Sequence, residues 1–477
     1  MAKRKSESAA SSPSKRVKRE EREPDTSDED AQQVFPDWPA PQEQLNMARD
    51  FIRECVRDKH KVVIVPDKDA DGLSSGRIIY HTLTAMGHPP DLISVHLLAK
   101  ATPLFEDTER AALDALGATR AIVLDQGSRA GPPILDPRGG TVQTLILDHH
   151  QSSDFPQHAK VVSACKSEPI ATTSLLTYLT CLPLHASVRG ECDWVAVLGV
   201  IGDLGGGVKW GTGPWPAHLR ETEKRWTKKA LGDAVSMLNA PRRTAEYNVQ
   251  DAWNALLKAK EPAEIATNRD LVAARQRVNL EVERCTHTPP KFSKDGRVAL
   301  FRIRSGYQVH PVIATRWAGH LKTKKLQMIM VVNTAYNPTG KYAHFSCRIS
   351  APLRKLPDGE RPNLIELLQE YASRVEDAGF MERNGDSFAK GHKEATGGLV
   401  YMDDFELLAE AMEIGVKPDA DPNATPKKSK SKAKAIDPGQ KNTLASYFGT
   451  PTKEGSGPSP KKEESGDVGE GKAELLS

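Results

Sequence analysis

Apolar positions along the chain change period several times, and each change predicts an element. From Gln42 to Arg57, Leu45, Ala48, Ile52 and Val56 recur at three- and four-residue spacing. That is one face of an amphipathic helix. Val62, Val63, Ile64 and Val65 form an unbroken β-branched run closed by Pro66. Such a run reads as a buried strand of a parallel sheet. Helical spacing returns in SSGRIIYHTLTAMG. Short apolar runs then alternate with helical stretches: LISVHLL at 92–98, AIVLD at 121–125 and TLILD at 144–148. This alternation predicts an α/β fold whose parallel sheet is covered on both faces.

The pattern shifts again further on. Glu261–Arg284 is polar, with Ile265, Leu271, Ala274 and Val278 on one face, and predicts a helix bridging two domains. A second, smaller α/β block begins near Val298, where VALFRI and QMIMVV read as strands. The expected organisation is a first domain over 42–235, a helical connector over 236–295 and a second domain over 296–415. Residues 1–40 and 416–477 lack apolar periodicity and are rich in Ser, Pro and Lys, so both are expected to be disordered tails.

Chemistry collects at the ends of the predicted strands. After Pro66 come Asp67, Asp69 and Asp71, closed by Gly72. In an open α/β sheet, ligands bind at the carboxyl ends of strands. Three alternating carboxylates there repel one another unless a cation holds them. A divalent metal and an acidic solvated turn both fit this stretch. AIVLDQG ends in Asp125, TLILDHH in Asp148, His149 and His150, and WVAVLGVIGDLGGG carries Asp203 after an apolar, helical segment. Adjacent histidines on a turn point different ways, so one is free to ligate metal while its neighbour faces substrate. Imidazole among the donors biases a site toward Mn over Mg. The Gly/Trp-rich GGGVKWGTGPW that follows reads as a surface insertion or a lid.

Bulk properties exclude several classes. No run approaches the ~18 apolar residues of a membrane span, and no secretory signal or membrane partner is expected. The formal net charge is +3, too near balance to announce a nucleic-acid binder by itself. Cys55, Cys165, Cys181, Cys192, Cys285 and Cys347 are scattered without a CxxC pair, which argues against a zinc site or a disulfide framework.

DKDADG, LDQG, DHH and GVIGD, in this order and at these separations, resemble the four motifs of the DHH phosphoesterase superfamily, of the RecJ-like exonuclease kind. The resemblance implies a site for two ions, Mn2+ or Mg2+. By motif position Asp67 and Asp69 hold one ion; Asp71, His149 and Asp203 hold the other; Asp125 bridges them. His150 contacts the scissile phosphate and Asp148 orients the imidazoles. Asn239, Ala240 and Arg242 resemble the family's Asn-Ala…Arg element, which implies a phosphate contact for Arg242. His310, Arg316 and Arg348 occupy places of substrate-contacting residues. KGHKEATGG resembles the core of the DHHA1 substrate-binding domain, with Gly391, His392 and Gly397 expected to form an anion nest.

The implied activity is metal-dependent phosphodiester hydrolysis, with single-stranded DNA or RNA as partner. A small-molecule phosphatase acting on polyphosphate or short oligonucleotides is the alternative. A catalytically inactive replication scaffold is a third reading, against which every acidic motif position is filled. Lys3-Arg4-Lys5 and Lys15-Arg16-Val17-Lys18-Arg19 suit a bipartite nuclear localisation signal, placing the protein in the nucleus in DNA replication or repair. In the C-terminal tail, Leu444, Tyr447 and Phe448 resemble a peptide that docks on the PCNA sliding clamp, with Lys441 where a Gln is usual.

Overall fold

The computed structural model describes residues 35–136, 142–321, 323, 325–385 and 387–417. The basic N-terminal clusters and the Leu444, Tyr447, Phe448 island lie outside the described residues. No helix among them is long and apolar enough to cross a membrane.

Helix α1 (Gln42–Arg57) forms as the spacing predicts and buries Leu45, Ala48, Phe51, Ile52 and Cys55. Five parallel strands follow: β1 (Val62–Pro66), β2 (Ile93–Val95), β3 (Arg120–Leu124), β4 (Gln143–Asp148) and β5 (Ala159–Ser163), in spatial order β2-β1-β3-β4-β5. Alternate residues enter opposite cores, as a period of two demands. Val62, Ile64, Ile122, Leu124, Leu145 and Leu147 face the larger core, while Val63, Val65, Ala121, Val123 and Ile146 face the other.

Three helices stack over the larger core: α2 (Ala70–Ala85), α3 (Thr173–Cys181) and α4 (Asp193–Leu204). Glycine sets their separation. A Cβ on Gly199 would lie 2.3 Å from Ser174 Oγ and 2.9 Å from Asp71 Oδ1, and one on Gly202 would lie 2.9 Å from the Ala70 Cβ. The GGGVKWGTGPW segment is packed rather than free: Trp210 and Trp215 are buried, and Trp215 meets Trp38 edge-on at 5.6 Å.

The first core runs past the expected boundary at 235. Helices α5 (Lys228–Leu238) and α6 (Val249–Lys258) contribute Leu238, Val249, Ala252, Trp253 and Leu256 to it, and Ile265 and Leu271 complete it. Among the described residues, helix α7 (Arg269–Thr286) joins the two lobes. Its Leu271 belongs to the first core, and its Val278, Val282 and Cys285 belong to the second lobe.

The second lobe is a six-stranded mixed sheet of β6 (Lys291–Phe292), β7 (Val298–Ile303), β8 (Met328–Asn333), β9 (Tyr342–Ile349), β10 (Lys390–His392) and β11 (Ala395–Tyr401), in order β10-β11-β9-β8-β7-β6. Strands β7 and β8 are parallel and joined by the crossover helix α8 (His310–His320); the other pairs are antiparallel.

Candidate metal centre

Strand and helix ends deliver six ionisable side chains to one edge of the first sheet. Asp67 follows β1, and its amide donates to Leu124 O at 2.9 Å. Asp69 caps α2 by accepting the amides of Asp71 (3.1 Å) and Gly72 (3.2 Å). A side chain on Gly72 would press within 2.6 Å of Asp67 O, so only glycine lets the acidic loop fold back on the helix. Asp125 follows β3 with φ +61°, a strained region for a residue other than glycine and one Asp tolerates better than most. His149 and His150 follow β4, and Asp203 lies in the last turn of α4.

Donor atoms of Asp67, Asp69 and Asp125 lie within 4.8 Å of one another, as do those of Asp125, His149 and His150. Asp125 belongs to both groups. His149 Nε2 stands 3.4 Å from Asp125 Oδ1 and 3.6 Å from Asp203 Oδ2. Two adjoining donor sets sharing one carboxylate are thus present. Hard oxygens mixed with imidazole suit Mn2+ or Mg2+ better than a thiolate-seeking ion. A third cluster, Glu54, Asp58 and His60, is already matched: Glu54 pairs with Arg120 at 2.7 Å and Asp58 with Arg57 at 2.6 Å.

Two residues have partners beyond those that their motif roles imply. Asp71, like Asp203, belongs to neither donor group. Its Oδ2 accepts the Thr173 amide at 2.8 Å and its Oδ1 the Ser174 amide at 3.0 Å, so it caps α3. Thr173 in turn donates its hydroxyl to Asp125 Oδ1 at 2.9 Å. His150, expected only at the phosphate, falls within the second donor group, although its side chain is 60% exposed. Asp148 is fully buried and accepts from His150 Nδ1 (2.7 Å) and from the amides of His149 (2.8 Å), His150 (3.2 Å) and Ser128 (3.3 Å). It therefore fixes the turn that carries both imidazoles.

Protonation follows from this crowding. Burial, then the charges of Asp71, Asp69, Asp67 and Asp148, pushes Asp125 well above the ordinary carboxylate range. Burial raises Asp71 to about 6 against the opposing pull of His149. Burial would also raise Asp148, but its bond with His150, the charge of that imidazole and the bonds from Ser128 and the His150 amide together outweigh it and hold it low. The side-chain bond to Asp148 lifts His150 to about 9. Lys68 Nζ, 2.8 Å from Asp67 Oδ1, is the nearest fixed positive charge on the acidic loop.

The second lobe approaches the Asp69 side of this site. Arg242 donates Nε to Asn239 Oδ1 (3.0 Å) and Nη1 to Gln308 Oε1 (3.2 Å), and its Nη2 lies 3.8 Å from Asp69 Oδ2. The Ala70 amide also donates to Asn239 Oδ1 at 3.3 Å. His310 is buried beside this junction. Arg316 is bound to the connector through Thr286 Oγ1 (3.1 Å) and Glu283 (3.3 Å). Arg348 is tied to Thr315 Oγ1, Ser346 Oγ and Cys347 O. Gly391, His392 and Gly397 form an edge hairpin, β10 with β11, instead of an open nest: His392 pairs with Ala395 and Lys390 with Gly397. Sequence reading missed Lys68, Ser128, Thr173 and Gln308 as partners of the site. For Thr173 a signal existed, the Thr-Thr-Ser run before an apolar helix.

Residues 61–193 match the DHH family, N-terminal domain. Among solved structures the chain is similar to RecJ in complex with Mn2+ from Thermus thermophilus, at 18% identity and TM-score 0.53, covering 78% of this chain and 54% of that one. The chain thus spans about half the length of that RecJ. It is also similar to an exonuclease RecJ bound to manganese (16% identity, TM-score 0.51, 77% and 93% covered). A third likeness is to the DHH domain of a member of a family of ribosomal proteins (12% identity, TM-score 0.56, 78% and 91% covered). At these identities the likeness is one of fold. No curated protein sequence matches the chain.

Proposed function

We propose that this chain, whose residues 61–193 form a DHH-family N-terminal domain, is a metal-dependent phosphodiesterase that degrades single-stranded nucleic acid from an end. The observation that carries the reading is the pair of donor sets sharing Asp125, with Arg242 reaching Asp69 from the lobe junction. Asp67, Asp69, Asp125 and His149, with Asp203 beside them, would hold the metal, two ions of Mn2+ or Mg2+ on this reading. Divalent cations bound there polarise a phosphate and lower the pKa of a bound water.

The protein's own groups have separable tasks. Asp148 orients His149 and His150, and leaves the exposed edge of His150 facing outward to a phosphate oxygen. Because Nδ1 donates to Asp148, the outward nitrogen is Nε2. Arg242 offers a guanidinium to substrate phosphate while spanning the lobes through Gln308. Asp71 holds the start of α3 and so keeps the Thr173 hydroxyl on Asp125. No Ser or Cys nucleophile is required.

Nuclear location and recruitment to a sliding clamp complete the proposal. They are supported by the basic N-terminal clusters and by Leu444, Tyr447 and Phe448. Calorimetry of a peptide spanning 436–453 against PCNA tests the second point. Affinity in the micromolar range, about −8 kcal/mol, is expected, and Lys441→Gln should tighten it. Silence from both peptides removes the clamp from the proposal.

The central test is digestion of end-labelled single- and double-stranded DNA and RNA, with polyphosphate in parallel, in Mn2+ and in chelator. Stepwise shortening of a single strand only with metal is the expected result. Release of phosphate from polyphosphate with intact oligonucleotides would replace the reading with a small-molecule phosphatase.

A further inference from the structure

Three buried hydrogen-bonding atoms at the lobe junction have no partner among the described residues: Tyr247 Oη, His310 Nδ1 and His344 Nε2. They share Tyr336 as a neighbour. The His310 and His344 rings lie 5.9 and 5.0 Å from the Tyr336 ring and 6.2 Å from each other. Tyr336 is also within electrostatic reach of the Tyr247 hydroxyl. An unmade hydrogen bond in a buried place is costly, and these three, unlike the others scattered through the fold, gather around one ring beside the metal centre.

The backbone around them is held rather than loose. Tyr247 has φ +59°, a conformation that is strained for a bulky residue. Its amide donates to Thr244 Oγ1 and its carbonyl accepts from Val249, which fixes it there. Lys100, from the first lobe, donates to Ala245 O (3.0 Å) and Gly306 O (2.6 Å) and sits 4.9 Å over the Tyr336 ring. The charges acting on both Tyr247 and Tyr336 are Lys68, Arg242 and Asp67. The cluster therefore borders the Asp67 edge of the metal centre.

Its chemistry is that of a neutral, flat ligand. Burial, with Arg348 and Arg243 facing His310 and Lys100 facing His344, drives the two imidazoles down to about 3 and about 4. Both are uncharged at neutral pH, as are the two phenols. Cations for a phosphate stand to one side, in Arg242 and Lys68. The remainder is a set of aromatic faces with unused donors and acceptors, which suits a sugar and base.

We propose that Tyr247, Tyr336, His310 and His344 form a nucleoside subsite that takes the sugar and base attached to the phosphate held at the metal centre. This rests on the phosphodiesterase reading and names the part of the substrate the chain recognises.

Two esters with the same leaving group test it in the full chain with Mn2+: thymidine 5′-(p-nitrophenyl phosphate) and methyl p-nitrophenyl phosphate. Tyr247→Phe removes one hydroxyl and His344→Phe one pair of ring nitrogens, each with little change of shape. In each variant the ratio of kcat/KM for the thymidine ester over the methyl ester should fall about tenfold, the worth of one hydrogen bond. An unchanged ratio overturns the subsite, as does a lower melting temperature with no change of preference, which marks the orphaned atoms as the seat of a structural water. If the unaltered protein cleaves neither ester, the phosphodiesterase reading fails by itself. Equilibrium binding of thymidine 5′-monophosphate against inorganic phosphate then decides the subsite. Weaker nucleotide binding in both variants upholds it, and equal binding removes it.

Discussion

Asp125 concentrates the demands of the site in one residue. It is buried, shared by both donor groups and held at positive φ. Asp125→Asn keeps the shape and tolerates the same backbone, and removes only the charge. Calorimetric Mn2+ binding and nucleic-acid hydrolysis should both be lost, while the metal-free melting temperature holds or rises because neighbouring carboxylates lose a repelling partner. Full turnover in that variant would refute the shared-carboxylate role. A pH effect belongs to His310 and His344. Their folded pKa values, about 3 and about 4, lie below the ordinary histidine value of 6.5. Unfolded chains bind more protons in that window, so the stability these groups contribute is present above about pH 6.5 and is lost as pH falls toward 4. A melting series from pH 7 to 4 should decline, and His344→Phe should flatten it. At this scale the acidic and histidine positions were readable because metal donors come from a short list of residue types. The capping role of Asp71 was not, because its partners Thr173 and Ser174 stand more than a hundred residues away.

Among elements, the contact of α2 with α3 and α4 governs whether the metal centre forms. Gly199→Ala places a methyl 2.3 Å from Ser174 Oγ and 2.9 Å from Asp71 Oδ1. The helices must part, at about 1–3 kcal/mol by the usual cost of overpacking. Denaturant unfolding should show that loss, and Mn2+ affinity should fall with it, since Asp71 anchors the helix that brings Thr173 to Asp125. Stability equal to that of the unaltered protein would show that the contact yields. The strands β1, β3 and β4 were legible because both faces are buried and their sequences are unbroken apolar runs. Strand β5 escaped because AKVVS is mostly half-exposed and carries no such run. The stretch of β10 and β11 suggested an anion nest because its glycines imply freedom, whereas Gly397 and Gly398 are spaces for neighbouring backbone: a Cβ would lie 2.6 Å from Phe345 O or 2.3 Å from Ser387 O.

For the whole molecule, domain limits were the least readable quantity. Periodicity shows that a helix has an apolar face but not which core receives it, so Val249, Trp253 and Leu256 entered the first lobe unannounced. The connector α7 shows the same ambiguity in one element, with Leu271 in one core and Val278, Val282 and Cys285 in the other. Eighteen residues span about 27 Å of rigid helix. Melting of either lobe is expected to loosen the rod that the other also grips. Heat should therefore meet a single cooperative unit, and an ion seated only in the first lobe should protect the second. Hydrogen exchange of β7 and β8 amides, with and without Mn2+, reads this directly: slowing in a sheet that contributes no donor to the metal centre is the signature of two lobes bolted to one axle.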